Sequence, residues 1–239
     1  MTTFLFGTTA NGLAIQGFRH FPKSESDSKS SLKHVLVLGG VHGDESEGVV
    51  LSHALLNSLL SGTVSGSLSG DLKLKISLIP SMNLDGVLAK TRGNANGVDL
   101  NRNLPTKDWS SVATTPRYQP GPHALSEPEN KSLVRFIDQE KPDFIISLHS
   151  WKPMLNINEV PGSQICQKVA EAIAGKTGDI IEPTIGYSTP GCLGTYAGYE
   201  RQIPTLTYEI ERGLEPKDVV RKHLDALICG LKILENERS

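Results

Sequence analysis

The run His34-Val35-Leu36-Val37-Leu38-Gly39-Gly40-Val41 constrains the fold more than any other stretch. An uninterrupted apolar segment closed by two glycines reads as a strand buried on both faces, and a helical pattern over residues 45–60 follows it directly. Such a strand needs helices on both sides, so this unit alone implies a layered α/β architecture. The alternation then continues. Residues 72–79 form a second β-rich run, 143–148 a third and 205–210 a fourth. Ser126 and Glu129 stand in capping-box spacing ahead of the third run and announce a helix before it. Residues 161–176 and 215–235 supply further helices, the last with Val219, Val220, Leu224, Leu227, Ile228 and Leu231 as its apolar face. Residues 4–6 and 13–18 predict an N-terminal hairpin. The polar segments 21–33, 61–70 and 104–123 read as loop-sized connections within one fold. The expectation is a single α/β domain over 1–239 without a pro-domain, an α/β/α sandwich around a mixed, largely parallel central sheet.

Charge and cysteine usage narrow the partners. With 24 basic against 26 acidic residues the chain carries no overall basic field, so neither nucleic acid nor membrane is an expected partner. Cys166, Cys192 and Cys229 are odd in number and form no C-x-x-C pair, which suits idle thiols in a reducing compartment. The opening residues lack a basic region followed by a sustained apolar one, and no stretch reaches the length of a membrane span. The reading is a cytoplasmic protein, as a monomer or homodimer.

In open α/β sheets ligands collect beyond the carboxyl ends of the strands. Three such ends carry chemistry here: Gly40-Val41-His42-Gly43-Asp44-Glu45, Ser147-Leu148-His149-Ser150-Trp151 and Tyr208-Glu209-Ile210-Glu211. Two imidazoles and a carboxylate leave one tetrahedral position open on Zn²⁺, as catalytic sites do, and a separate carboxylate can then activate water. Singly, H-x-x-E is a common chance pattern and a strand-end histidine is usually a satisfied hydrogen bonder. Their coincidence at strand ends is what carries weight.

Between these ends lie Asn83-Leu84-Asp85-Gly86 and Arg92-Gly93-Asn94-Ala95-Asn96-Gly97-Val98-Asp99-Leu100-Asn101-Arg102-Asn103. Together H-x-x-E, N-x-D-G, R…G-V-D-L-N-R-N, the S-E-P-E of Ser126 to Glu129, a strand-end His and a strand-end Glu resemble the zinc metallocarboxypeptidase family, in family order from His42 to Glu209. The resemblance implies one Zn²⁺ per chain on His42, Glu45 and His149, with Glu209 as general base and then acid. It implies that Asp99 accepts a hydrogen bond from the far nitrogen of His42. It makes Arg92 the oxyanion stabiliser, and Asn101 and Arg102 the grip on a terminal carboxylate. Tyr187, which stands 22 residues before Glu209, would close over bound substrate. Within the family, H-G-D-E, R-G-N-A-N-G-V-D-L-N-R-N and Gly186-Tyr187-Ser188-Thr189-Pro190-Gly191 look most like members that cleave the γ-D-glutamyl–meso-diaminopimelate amide of murein peptides in cell-wall recycling.

A general metallocarboxypeptidase or an N-acyl amino acid deacylase would use the same metal and base with a different pocket. A catalytically silent muropeptide-binding protein is the alternative from another class. Two departures from the family pattern stand out. Asn83-Leu84-Asp85-Gly86 lacks the family's usual proline. Asp44 stands where digestive carboxypeptidases usually carry a basic residue; it either faces a substrate ammonium or serves the helix N-terminus. His20, His34, His53, His123 and His223 read as surface or packing residues. Trp109 and Trp151 are candidates for lining a pocket.

Overall fold

The computed structural model describes residues 1–22, 32–62, 72–113 and 115–236. In chain order these form β1 (Thr2–Thr8), β2 (Ala14–His20), β3 (His34–Leu38), α1 (Ser46–Ser61), β4 (Lys75–Ile79), α2 (Leu84–Ala89) and α3 (Pro128–Glu140). There follow β5 (Phe144–Trp151), β6 (Met154–Asn158), α4 (Ile165–Thr177), β7 (Ile180–Glu182), β8 (Thr205–Glu211) and α5 (Pro216–Asn236). The eight strands make one mixed sheet in the order β1-β2-β4-β3-β5-β8-β6-β7. Its middle, β4-β3-β5-β8, is parallel. The expected hairpin β1/β2 joins β4 antiparallel, β6 joins β8 antiparallel, and β7 joins β6 in parallel.

β3 is buried along its whole length, and its side chains alternate between two cores. Val35 and Val37 pack with α1, α4 and α5, while Leu36 and Leu38 pack with α3 and the hairpin. Leu51 and Leu55 of α1 are fully buried, each adding about 1.5–3 kcal/mol of transfer free energy. The long C-terminal helix lies as its pattern requires, with Val219, Leu224, Leu227, Ile228 and Leu231 buried.

Some local expectations change. The capping box does not form: α3 starts at Pro128 after Glu127, Ser126 Oγ donates to Glu127 Oε1 at 2.5 Å, and the Glu129 carboxylate accepts from Ala10 N and Asn94 Nδ2. Helix α4 begins at Ile165 rather than Pro161, because residues 161–162 form a turn. β6, β7 and α2 arise in stretches with no sequence expectation attached. The connection over 104–123 contains no strand or α-helix among its described residues, as expected. Most of 21–33 and of 61–70 lies outside the described residues.

Candidate metal centre and its cavity

The chain leaves β3 toward β4 on one side of the sheet and resumes on the other side at β5. This reversal opens a crevice beyond the carboxyl ends of β3 and β5. His42 and Glu45 occupy the turn between β3 and α1, His149 lies on β5, and Glu209 stands opposite His149 in the β5/β8 ladder. Two glycines let the turn sit this close. A Cβ on Gly43 would fall 1.9 Å from Gly86 C, and one on Gly48 would fall 2.6 Å from Leu148 O, both backbone atoms. The start of α1 therefore packs directly on the end of β5.

The structure brings His42, Glu45 and His149 together, all three buried, with one potential ligand atom from each within 4.8 Å of the others. His42 Nδ1 is 3.0 Å from Glu45 Oε1, His149 Nδ1 is 2.9 Å from Glu45 Oε2, and the two Nδ1 atoms are 3.1 Å apart. The opposite ring nitrogens are engaged: His42 Nε2 with Asp99 Oδ1 at 3.0 Å and His149 Nε2 with Ser147 Oγ at 2.9 Å. Burial opposes ionisation of Asp99, yet His42, Arg92 and Arg102 hold its carboxyl below the usual range. Asp99 is therefore an acceptor and the hydrogen of that pair sits on His42 Nε2, which turns Nδ1 toward Glu45 and His149. Ser147 can accept from His149 in the same way. Two imidazole nitrogens and a carboxylate facing one another make an N₂O set of the kind that suits Zn²⁺, which would displace the protons of the rings on binding. Burial also opposes ionisation of Glu45, but His42 and His149 hold it well below the usual carboxylate range.

Glu209 differs from Glu45 in its surroundings. Its Oε2 is shielded from solvent and has no hydrogen-bond partner among the described residues. Burial, reinforced by the charge of Glu45 and opposed by His149, pushes its carboxyl up to about 7. Along β8, Leu206, Tyr208 and Ile210 point into the core while Thr207 and Glu209 line the cavity. The period-2 alternation of a strand thus delivers Glu209 to the site.

The cavity has a volume of about 510 Å³. Arg92 lies on its wall, tied through Nε to Asp99 Oδ2 at 2.8 Å and through Nη1 to Glu45 Oε1 at 2.9 Å. Arg102 is deeper and nearly buried; its Nη1 donates to Asn101 O at 2.7 Å. Asn101 Oδ1 accepts from Leu193 N at 2.8 Å. Tyr118 lies 5.0 Å from each of the Arg92 and Arg102 guanidinium carbons. Tyr187 is exposed at the mouth, 6.4 Å from the Tyr118 ring and 6.2 Å from Trp151. Trp151 lines the cavity and Trp109 does not. Asn101, Arg102 and Tyr187 thus share one cavity with His42, Glu45 and Glu209.

Asp44 does not line this cavity. Its Oδ2 pairs with Arg117 Nη2 at 2.8 Å and Arg212 Nη2 at 2.9 Å, and its Oδ1 is shielded without a partner among the described residues. The N-cap of α1 is Glu45, and the Asp44 carboxylate beside it is held in an arginine clamp. Burial opposes ionisation of Asp44, but the two guanidiniums hold its carboxyl below the ordinary value.

Other cavity residues escape sequence reasoning. Asn156 and Asn158 come from β6, whose Leu155-Asn156-Ile157-Asn158 alternation is a legible period-2 signal. Arg117 comes from an irregular connection and carries no pattern. Arg212 follows Glu209 by three positions, close to the same strand end. Glu47 accepts from Ser150 Oγ and Gly213 N, both at 2.6 Å, and so links the ends of β5 and β8. Of the remaining histidines, His20, His34 and His223 are buried while His53 and His123 are exposed.

Comparison with known proteins places this geometry among relatives. The zinc carboxypeptidase family model matches residues 1–208. A murein peptide amidase A from Vibrio campbellii is 31% identical over 244 residues, covering 96% of this chain and 89% of that protein. One from Escherichia coli K12 is 29% identical over 187 residues, covering 74% of this chain and 69% of that one. Among solved structures, the murein-tripeptide amidase of Escherichia coli O157 superposes with a TM-score of 0.74 at 26% identity, over 97% of this chain and 92% of that one. Thrombin activatable fibrinolysis inhibitor shares the fold, with a TM-score of 0.77 at 18% identity over 98% of this chain and 70% of that one.

Proposed function

The chain belongs to the zinc carboxypeptidase family, metal-dependent hydrolases whose cofactor is Zn²⁺, and from that premise we propose that it hydrolyses the γ-D-glutamyl–meso-diaminopimelate amide of murein peptides. The likeness to murein peptide amidases over nearly the whole chain supports the substrate class. The observation that carries the reading is the chemistry of the cavity wall. Asn156, Asn158 and Thr207 line it with polar, uncharged groups, in the same cavity as Arg102. A wall of a hydroxyl and amides, with Asn156 Nδ2 donating to Glu182 O and Asn158 Nδ2 to Asn156 Oδ1, presents a polar surface that suits a side chain ending in both a carboxylate and an ammonium better than an apolar one.

In this reading His42, Glu45 and His149 hold the metal, with Asp99 and Ser147 fixing the two rings. Bound Zn²⁺ supplies Lewis-acid polarisation of the scissile carbonyl and lowers the pKa of water. Glu209 takes the proton from the attacking water and returns it to the leaving amine. Arg92, tethered by Asp99 and Glu45, faces the oxygen on which negative charge develops. Arg102 and Asn101 take the carboxylate beside the leaving amine, and Tyr187 closes over the substrate from the mouth. The three free thiols fit a cytoplasmic enzyme that recycles released cell-wall peptides.

The test is incubation of zinc-loaded protein with L-Ala-γ-D-Glu-meso-diaminopimelate and with a panel of ordinary C-terminal peptides, products being identified by mass. L-Ala-D-Glu and free diaminopimelate are expected. Cleavage of the panel alone would make the chain a general carboxypeptidase, release of acyl groups from N-acyl amino acids a deacylase, and binding without turnover a muropeptide-binding protein.

A further inference from the structure

We propose that Arg117 and Arg212, clamped by Asp44, form a second carboxylate site at the mouth of the cavity, one that reads the acyl half of the substrate. Both arginines line the cavity, and they reach it from unrelated segments: Arg117 from the irregular connection before α3, Arg212 from just past the end of β8. They converge on one oxygen, Asp44 Oδ2, at 2.8 and 2.9 Å. Arg212 is held further by its own backbone N–H to Trp151 O at 3.0 Å and by Nη2 to Asp44 O at 2.7 Å.

Two guanidiniums sharing one carboxylate leave a net positive charge. Like charges brought together in this way repel unless an anion joins them, and Asp44 supplies only one. The described residues accept no other hydrogen bond from either side chain, so most of the N–H groups of these two cavity-lining, partly exposed arginines are left without a protein acceptor. A planar fork with donors to spare is the form in which proteins bind carboxylates.

Depth assigns the half of the substrate. The side chain of Arg92 is 12% exposed, against 46% for Arg117 and 40% for Arg212, and Arg102 is buried. The group beside the leaving amine goes to the deep arginine, so the acyl half extends toward the mouth. This identification rests on the proposed function: in a γ-linked glutamyl residue the α-carboxylate is free and hangs from the acyl half on a short stem, whereas an ordinary peptide bond has no charge there unless an acidic side chain precedes it. The clamp would thus recognise the γ-glutamyl linkage, and Asp44 is a positioning residue acting through the two arginines.

The experiment compares kcat/KM for L-Ala-γ-D-Glu-meso-diaminopimelate with that for the same peptide carrying an α-carboxamide on the glutamyl residue. It uses the zinc-loaded wild type, Arg117→Gln, Arg212→Gln and Asp44→Asn. The wild type should prefer the acid by about tenfold or more, mainly through KM, and each variant should move that ratio toward unity. Asp44→Asn should leave the preference for diaminopimelate over lysine where it was, since Asp44 does not touch that end. A wild-type ratio near one, or a ratio unchanged in both arginine variants with native zinc content, overturns the clamp. Should a variant fail to fold, inhibition of the wild type by L-Ala-D-Glu against L-Ala-D-isoglutamine decides: stronger inhibition by the acid supports the site, equal inhibition overturns it. If no γ-glutamyl substrate is cleaved, the proposed function fails by itself. The clamp is then read on whichever C-terminal peptides are cleaved, as the ratio for Glu against Gln immediately before the scissile bond, and a ratio of one overturns it.

Discussion

At the scale of single residues, Glu45 and Glu209 contrast most. Both are carboxylates of the same site, yet Glu45 is surrounded by two histidines and an arginine while one oxygen of Glu209 has no partner among the described residues. The first is fixed as an anion, and the second is placed to exchange a proton. Glu209→Gln should therefore keep zinc and fold while kcat falls by about 10²–10⁴-fold, since the amide cannot carry the proton. Stopped assays on metal-quantified protein check it, and near-wild-type turnover would make Glu209 structural. Ser147 offers a second test. Its hydroxyl is 2.9 Å from His149 Nε2, so Ser147→Ala removes the group that orients that ring. Zinc affinity should weaken by about 10-fold or more in a chelator competition, with little change in thermal stability of the zinc-free protein. The chemical residues were legible in the sequence because they cluster in short motifs. Ser147 is two positions before His149 on the same face of β5, a period-2 relation the sequence carries, whereas the arginines that hold Asp44 come from distant segments.

At the scale of elements, two buried histidines tie helices to the sheet. His34, at the start of β3, places Nδ1 3.1 Å from Glu140 O at the end of α3 and Nε2 2.9 Å from Ser77 Oγ of β4. His223 of α5 places Nδ1 2.6 Å from the Tyr208 hydroxyl of β8. Burial, with Lys75 beside it, pushes His34 down to about 4; burial, with Lys222 adding and Asp179 opposing, pushes His223 down to about 4. Both are neutral in the folded state. In the unfolded chain they take up protons below about pH 6.5, so stability is full above that pH, falls as pH drops from about 6.5 to about 4, and loses nothing further to these groups below it. The loss should be on the order of 1–3 kcal/mol per histidine. Denaturant midpoints against pH should show a shallower slope in that window for His34→Asn with His223→Asn, and an unchanged slope would remove this account. Gly48 is the counterpart on α1. Its Cβ would meet Leu148 O at 2.6 Å, so Gly48→Ala should destabilise the protein by about 1–3 kcal/mol and weaken zinc binding by pushing the helix off the end of β5. Melting and chelator titration should move together; a change in stability alone would uncouple the packing from the site.

At the scale of the whole molecule, the metal site joins parts of the chain that are otherwise linked only through the core. His42 and Glu45 lie before α1, His149 lies on β5, and Arg92 and Asp99 bring in the connection after α2. A ligand that binds only the folded arrangement stabilises it by mass action, about 2.7 kcal/mol at a free concentration 100 times its dissociation constant. Zinc should raise the melting temperature accordingly, and the shift should vanish in His149→Ala; an equal shift in that variant would place the metal elsewhere. Among the described residues no helix is long and apolar enough to cross a membrane. The sequence by itself determined the layered α/β class, the hairpin, the buried strand and its following helix, because each is a local pattern of burial that neighbouring residues enforce. Its motifs at strand ends also pointed to His42, Glu45, His149 and Glu209, which the fold brings to one crevice. Only the tertiary structure decided that Asp44 holds two arginines, that Ser126 and Glu129 find other partners than each other, and that Asn156 and Asn158 line the cavity. Hydrogen bonds and ion pairs between residues 20 to 170 positions apart depend on which loops the sheet brings into reach, and no local periodicity encodes that distance.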